Sequence, residues 1–151
     1  MEDNSMTVEE NKAIVLRSYE EIINTGDFDR AEEVFTSGFV DHEEVPGLAG
    51  PPGIEGFKQA FSILRGAFPD LRMDVHDMIA EGDKVVARVT VQGTHQGEFM
   101  GMPPTGNRVE VSATDIFRIE GGKIAEHWGN FDNLGMMQQL GAIPPPGQTV
   151  S

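Results

Sequence analysis

The sequence predicts an α+β domain whose helices pack on one face of a curved antiparallel sheet, and three observations carry that expectation. Apolar residues recur at helical spacing as far as Phe68. After Pro69 the same residue types alternate with a period of two. The alternating stretches are joined by the short turns "EGD" and "EGGK", the second a Gly-centred hairpin signal. Helices followed by a run of long strands give a helix-on-sheet layer architecture. Where the helices cover only part of the concave face, a pocket remains between the two layers.

The elements follow in order. Thr7 with Glu10 three residues on forms a capping box. Val8, Val15, Leu16, Tyr19, Ile22 and Ile23 make one helical stripe, which Gly26 ends. "DFDRAEEVF" is a short second helix capped by Asp27, and "FVDHEE" a brief extended segment. "VPGLAGPPG" is a loop, and Pro51 and Pro52 start a helix with Ile54, Phe57, Phe61 and Leu64 on one side. The strand region spans "LRMDVHDMIAEGDKVVARVTVQGTHQG" and "NRVEVSATDIFRIEGGKIAEHWGNF", and "NLGMMQQLG" is a last helical turn or two. This divides the chain into a polar N-terminal segment with its helix cap (1–10), one domain (11–141) and a loose Pro-rich tail (142–151).

Composition narrows the function. At 151 residues the chain is long enough for one sound core. A net charge of −14 argues against nucleic acid and against an anionic membrane surface, and no run is apolar enough to span a bilayer. Without Cys there are no disulfides, thiolate ligands or thiol nucleophiles. The acidic start "MEDNSMTVEENK" is unlike a signal peptide, so a cytoplasmic protein is expected.

The candidate chemistry centres on "VEVSATDIFRI". Read as a strand, it puts Val109, Val111, Ala113, Asp115 and Phe117 on one face, a core-facing row with one carboxylate in it. A structural Asp would be held by a neighbouring strand or an Arg, whereas a carboxylate facing an apolar cavity would titrate near neutrality and act as an acid–base group. No basic residue shares its face, which favours the second reading. His127 lies on the next strand, sharing a face with Ala125, Gly129 and Phe131, and the hairpin makes the two strands neighbours. His42 and His95 sit at strand-to-loop edges, where polar groups enter a pocket mouth; His76 falls on a polar face and reads as surface. Phe57, Phe61, Phe99, Met102 and Phe131 are the candidate pocket lining, with Met78 and Met100 beside them, although such residues more often simply fill a core. There is no H-x-x-x-H pair for zinc, no G-x-S-x-G elbow and no phosphate loop, so a metal site, a Ser hydrolase and a phosphate-binding loop are not expected.

The stretches "NKAIVLRSYEEIINTGDFDRAEEVF", "GTHQGEFMGMPPTG" and "GKIAEHW…QQLG" resemble the SnoaL-like polyketide cyclases of the nuclear-transport-factor-2-like superfamily, over about Asn11 to Gly141. The resemblance implies a cone-shaped α+β barrel with a deep apolar pocket, a homodimer, and cofactor-free intramolecular aldol ring closure on a polyketide ester. It also implies an acid–base Asp two residues after the His of "EHW", a place occupied here by Gly129. Asp132 matches a different acidic position of that family, and Asp115 stands where the cyclases carry another polar pocket residue. The expected site is therefore Asp115 and His127 as acid–base groups, with His42, His95, Asp132 and the apolar lining binding an apolar carbonyl-bearing small molecule. A non-catalytic binding module is the alternative, as is a hydrolase, dehydratase or isomerase on the same scaffold. Trp128, Ile116 and Ile124, on the faces opposite the pocket rows, are the expected dimer contact.

Overall fold

Thr7 accepts from the Glu10 backbone N–H while the Glu10 side chain reaches back to Thr7, so helix α1 (Val8–Arg17) opens on the expected capping box. The structure, a computed structural model, describes residues 7–45, 47–144 and Gly147. Most of the expected loose tail, and residues 1–6, lie outside them.

The first helical stripe is not one regular helix. After Arg17 the coil widens into a π-helix (Ser18–Ile23), where the Asn24 N–H bonds the Tyr19 carbonyl five residues back. The widened segment buries Ser18, Tyr19, Ile22 and Ile23 together. The second short helix is a 3-10 helix (Phe28–Glu33), and Asp27 precedes it without a capping hydrogen bond from its side chain, contrary to expectation. Helix α2 (Gly53–Ala67) starts after Pro52 as expected and ends at Phe68, ahead of Pro69.

The five strands are β1 (Phe35–Asp41), β2 (Arg72–Glu81), β3 (Lys84–Thr94), β4 (Arg108–Glu120) and β5 (Lys123–Phe131), in the order β1-β5-β4-β3-β2. Strands β2 to β5 pair antiparallel through their hairpins. The "FVDHEE" segment is more than a brief extension: its first half completes β1, which adds to the sheet parallel to β5. The sheet is curved but not closed, with β1 and β2 as its edges. Helix α3 (Asn133–Gln139) follows β5 and lies by β4.

The period-two reading of β4 holds residue by residue, with Val109, Val111, Ala113, Asp115 and Phe117 all buried. Val15, Tyr19 and Ile22 pack against Val85, Ala87, Val89 and Phe117, and a second cluster joins Phe68, Phe99, Val109, Met136 and Leu140. Each such large side chain contributes roughly 1.5–3 kcal/mol by leaving water. Ile124 is a correction. A register irregularity between Arg118 and Ile119 sets it opposite Ile119, fully buried in the core rather than on the outer face. Ile116 and Trp128 do pair on the outer face, half-buried, with the His42 ring stacked on Trp128 at 4.9 Å.

Candidate active site

Between the helices and the concave face lies a cavity of about 730 Å³. Seven phenylalanines line it, Phe57, Phe61, Phe99 and Phe131 from the expected set and Phe35, Phe39 and Phe117 beside them. The loop from Glu44 to Pro52 contributes to its wall, and no Lys or Arg does among the described residues.

The polar groups gather at one place. Asp115 sits opposite Gly129 in the β4–β5 register and His127 opposite Phe117, so the two side chains meet diagonally on the same face. His127 Nε2 lies 2.9 Å from Asp115 Oδ1, and His127 Nδ1 lies 2.9 Å from Asp41 Oδ1. The other Asp115 oxygen accepts from the Tyr19 hydroxyl, which the π-helical segment delivers. Asp41 also accepts from the backbone N–H of Glu43 at 2.9 Å, a side-chain turn at the end of β1. The Glu43 carboxylate lines the cavity with the others.

Gly129 makes this convergence feasible. A Cβ there would stand 2.6 Å from Asp115 Oδ1 and 2.7 Å from Glu43 Oε1, closer than any real contact. The space a side chain would fill is shared by two carboxylates.

Their electrostatics are set by one another. Burial alone would lower the His127 pKa, but hydrogen bonds to Asp115 and Asp41 and their negative charges outweigh it and push it up to about 10. At neutral pH His127 is therefore an imidazolium donating from both nitrogens, clamped between two carboxylates. Burial, reinforced by the charge of Asp115, raises the Tyr19 hydroxyl well above its ordinary value, keeping it a donor. Burial is also the main cause that raises Glu43; Asp115 and Asp41 add to it, the His127 charge opposes it, and the result is about 7.

A stability profile follows. His127 titrates near 6.5 when unfolded and near 10 when folded, so its contribution is fully present below pH 6.5 and is lost as pH rises through about 10. The raised Glu43 acts in the same direction between pH 4.5 and 7. Thermal melts should show the midpoint falling steadily from pH 6 to pH 10. The loss should be on the order of a few kcal/mol, since one pKa unit is worth about 1.4 kcal/mol. A midpoint constant over that range would contradict the clamped imidazolium.

Glu43, Asp115 and His127 offer ligand atoms within 4.8 Å of one another, the spacing of a metal cluster. Both ring nitrogens of His127 are already paired with carboxylates at 2.9 Å, so a metal held by His127 would have to displace one of those contacts.

Four expected site residues are elsewhere. His42 points to the outer face, where its Nε2 pairs with Glu126 at 3.1 Å, because it alternates with the inward Asp41 and Glu43. His95 is fully buried under the loop 95–107, its Nδ1 bonded to Thr105 and its ring against Phe68. Met102 forms a bridge with Phe99 and packs on the second cluster rather than on the cavity. Asp132 caps α3, accepting from the Gly135 N–H at 2.8 Å. Tyr19, Asp41 and Glu43 are the polar groups that sequence reasoning passed over.

An open α+β cone encloses an apolar chamber with a buried cluster of carboxylates and an imidazole on one wall. The chain belongs to the SnoaL-like polyketide cyclase family, whose description matches residues 13–140. It is 32% identical over 133 residues to aklanonic acid methyl ester cyclase of Streptomyces peucetius, covering 84% of this chain and 88% of that one. Among solved structures, AclR of Streptomyces galilaeus superposes with a TM-score of 0.80 at 31% identity, covering 92% of this chain and 85% of AclR. IdmH of Streptomyces antibioticus superposes at 0.75 and 36% identity, covering 87% and 98%.

Proposed function

We propose that this protein closes a ring in an uncharged polyketide ester by an intramolecular aldol reaction, with Asp115 as the base. The observation that carries this reading is a buried carboxylate at the wall of an apolar cavity, held in place by His127 and Tyr19. Asp115 takes a proton from a carbon flanked by carbonyls, and the resulting enolate attacks a second carbonyl of the same molecule. Conjugation in the substrate spreads the charge, so the reaction needs no metal or cofactor. His127, charged and hydrogen-bonded on both sides, positions Asp115 and offsets its charge rather than exchanging protons itself. Two curated relatives support the reading, being named as cyclases of aklanonic acid methyl ester and nogalonic acid methyl ester.

Incubation with aklanonic acid methyl ester, followed by chromatography and mass spectrometry, tests it. A cyclised product of unchanged mass, formed faster than in the protein-free control, is expected. Tight binding of that ester with no conversion would favour a binding module.

The assembly belongs to the same proposal. Ile116 and Trp128 leave an apolar strip on the outer face, flanked by the Arg118–Glu126–His42 chain of polar contacts. A homodimer formed through this face is expected at micromolar concentration in light scattering, and Trp128→Glu should shift it to monomer. A wild-type chain that scatters as a monomer would count against the interface.

A further inference from the structure

Asp115 has little capacity left for a second task. One of its oxygens accepts from His127 and the other from Tyr19. An aldol closure nevertheless needs two proton movements, one off carbon and one onto the new alkoxide. Glu43 is placed for the second. It projects from the end of β1 into the same cavity, and among the described residues no side chain hydrogen-bonds its carboxylate. It faces Asp115 across the space above Gly129, which a Cβ would close.

We infer that Glu43 is a second catalytic carboxyl, the proton donor to the alkoxide formed on ring closure, acting opposite Asp115 across the gap left by Gly129. The inference rests on the aldol reading. The balance of each turnover is complete. A carbon–hydrogen bond breaks and its proton passes to Asp115; the enolate carbon forms the new carbon–carbon bond; the electron pair of the attacked carbonyl becomes an alkoxide; and Glu43 gives that oxygen its proton. Asp115 is then protonated and Glu43 anionic, and the proton returns between carboxyl oxygens that lie within 4.8 Å, a span one bridging water covers. The groups facing Glu43 are Asp41 two residues before it at the end of β1, Asp115 on β4, His127 on β5 and Tyr19 on the π-helical segment. Their combined effect, with burial, leaves Glu43 largely protonated just below neutral pH, the state a donor requires.

The two roles separate experimentally, because proton abstraction exchanges the carbon-bound hydrogen even when closure fails. Aklanonic acid methyl ester in deuterated buffer is followed by mass spectrometry for deuterium uptake into substrate and for cyclised product. Glu43→Gln should lose about 10²-fold in ring closure, keep deuterium uptake within a few-fold of wild type, and lose the decline in kcat/KM above pH 7. Asp115→Asn should lose both exchange and closure. A melting midpoint for Glu43→Gln at or above that of wild type separates chemistry from misfolding. Wild-type closure by Glu43→Gln, or equal losses of exchange and closure, overturns the assignment. A wild-type protein that neither exchanges nor cyclises the ester refutes the aldol reading and the Glu43 role with it.

Discussion

Replacing Asp115 with Asn should leave a folded protein that binds its ligand and turns it over about 10²–10⁴-fold more slowly, the usual worth of a general base. The amide keeps the shape and still accepts from the Nε2–H of His127, but it cannot take a proton from carbon. It also leaves the imidazolium with one carboxylate instead of two and forces the Tyr19 hydroxyl to change its partner role. A stability loss of about 1–3 kcal/mol is therefore expected alongside the loss of turnover. The two effects are separated by assaying well below the melting midpoint, where wild type and variant are both folded. A purely structural Asp115 would give a less stable variant that is fully active once folded, and that outcome would end its assignment as the base.

The second large effect concerns the substrate's charge. The free acid of any ester the protein accepts should bind at least about 10²-fold more weakly than the ester itself. Among the described residues no Lys or Arg lines the cavity, and the His127 imidazolium is already paired with Asp41 and Asp115. A carboxylate placed about 5 Å from Asp115 meets a repulsion of roughly 3 kcal/mol at an effective dielectric of 20, and its own desolvation adds to this. Titration of the methyl ester and its hydrolysed acid at pH 8, followed by quenching of protein fluorescence, gives the ratio. Equal affinities would mean that the acid head stays outside the chamber, away from Asp115.

The legibility of the site varied with the kind of element that carries each residue. The β4 row and the shared face of His127 could be read directly, because strand parity is rigid and the hairpin turn fixes which strands are neighbours. Asp41 and Glu43 were within reach of the same logic. Phe39 is buried, so Asp41 and Glu43 follow it inward by parity and His42 turns outward. Tyr19 was correctly placed on the helical core stripe, but its hydroxyl contact depends on a π-helical widening that apolar spacing does not announce. His95 depends on a loop that folds back over it, and Ile124 on a strand irregularity; neither leaves a periodic trace. The fold and most of the cluster lie in regular periods, whereas the place of Tyr19 in it lies in a departure from them.

The cluster is also drawn from nearly the full length of the chain. Tyr19 meets Asp115 across 96 positions and Asp41 meets His127 across 86, the latter through a parallel pairing of β1 that no hairpin can supply. Loops of that length close slowly, because their entropy is spent before the contacts return anything. The β2–β5 meander can form from near neighbours, while the first 41 residues must return to a sheet that already exists. The Tyr19–Asp115 and Asp41–His127 pairs therefore join distant parts of the chain, and no single hairpin or helix carries the site by itself.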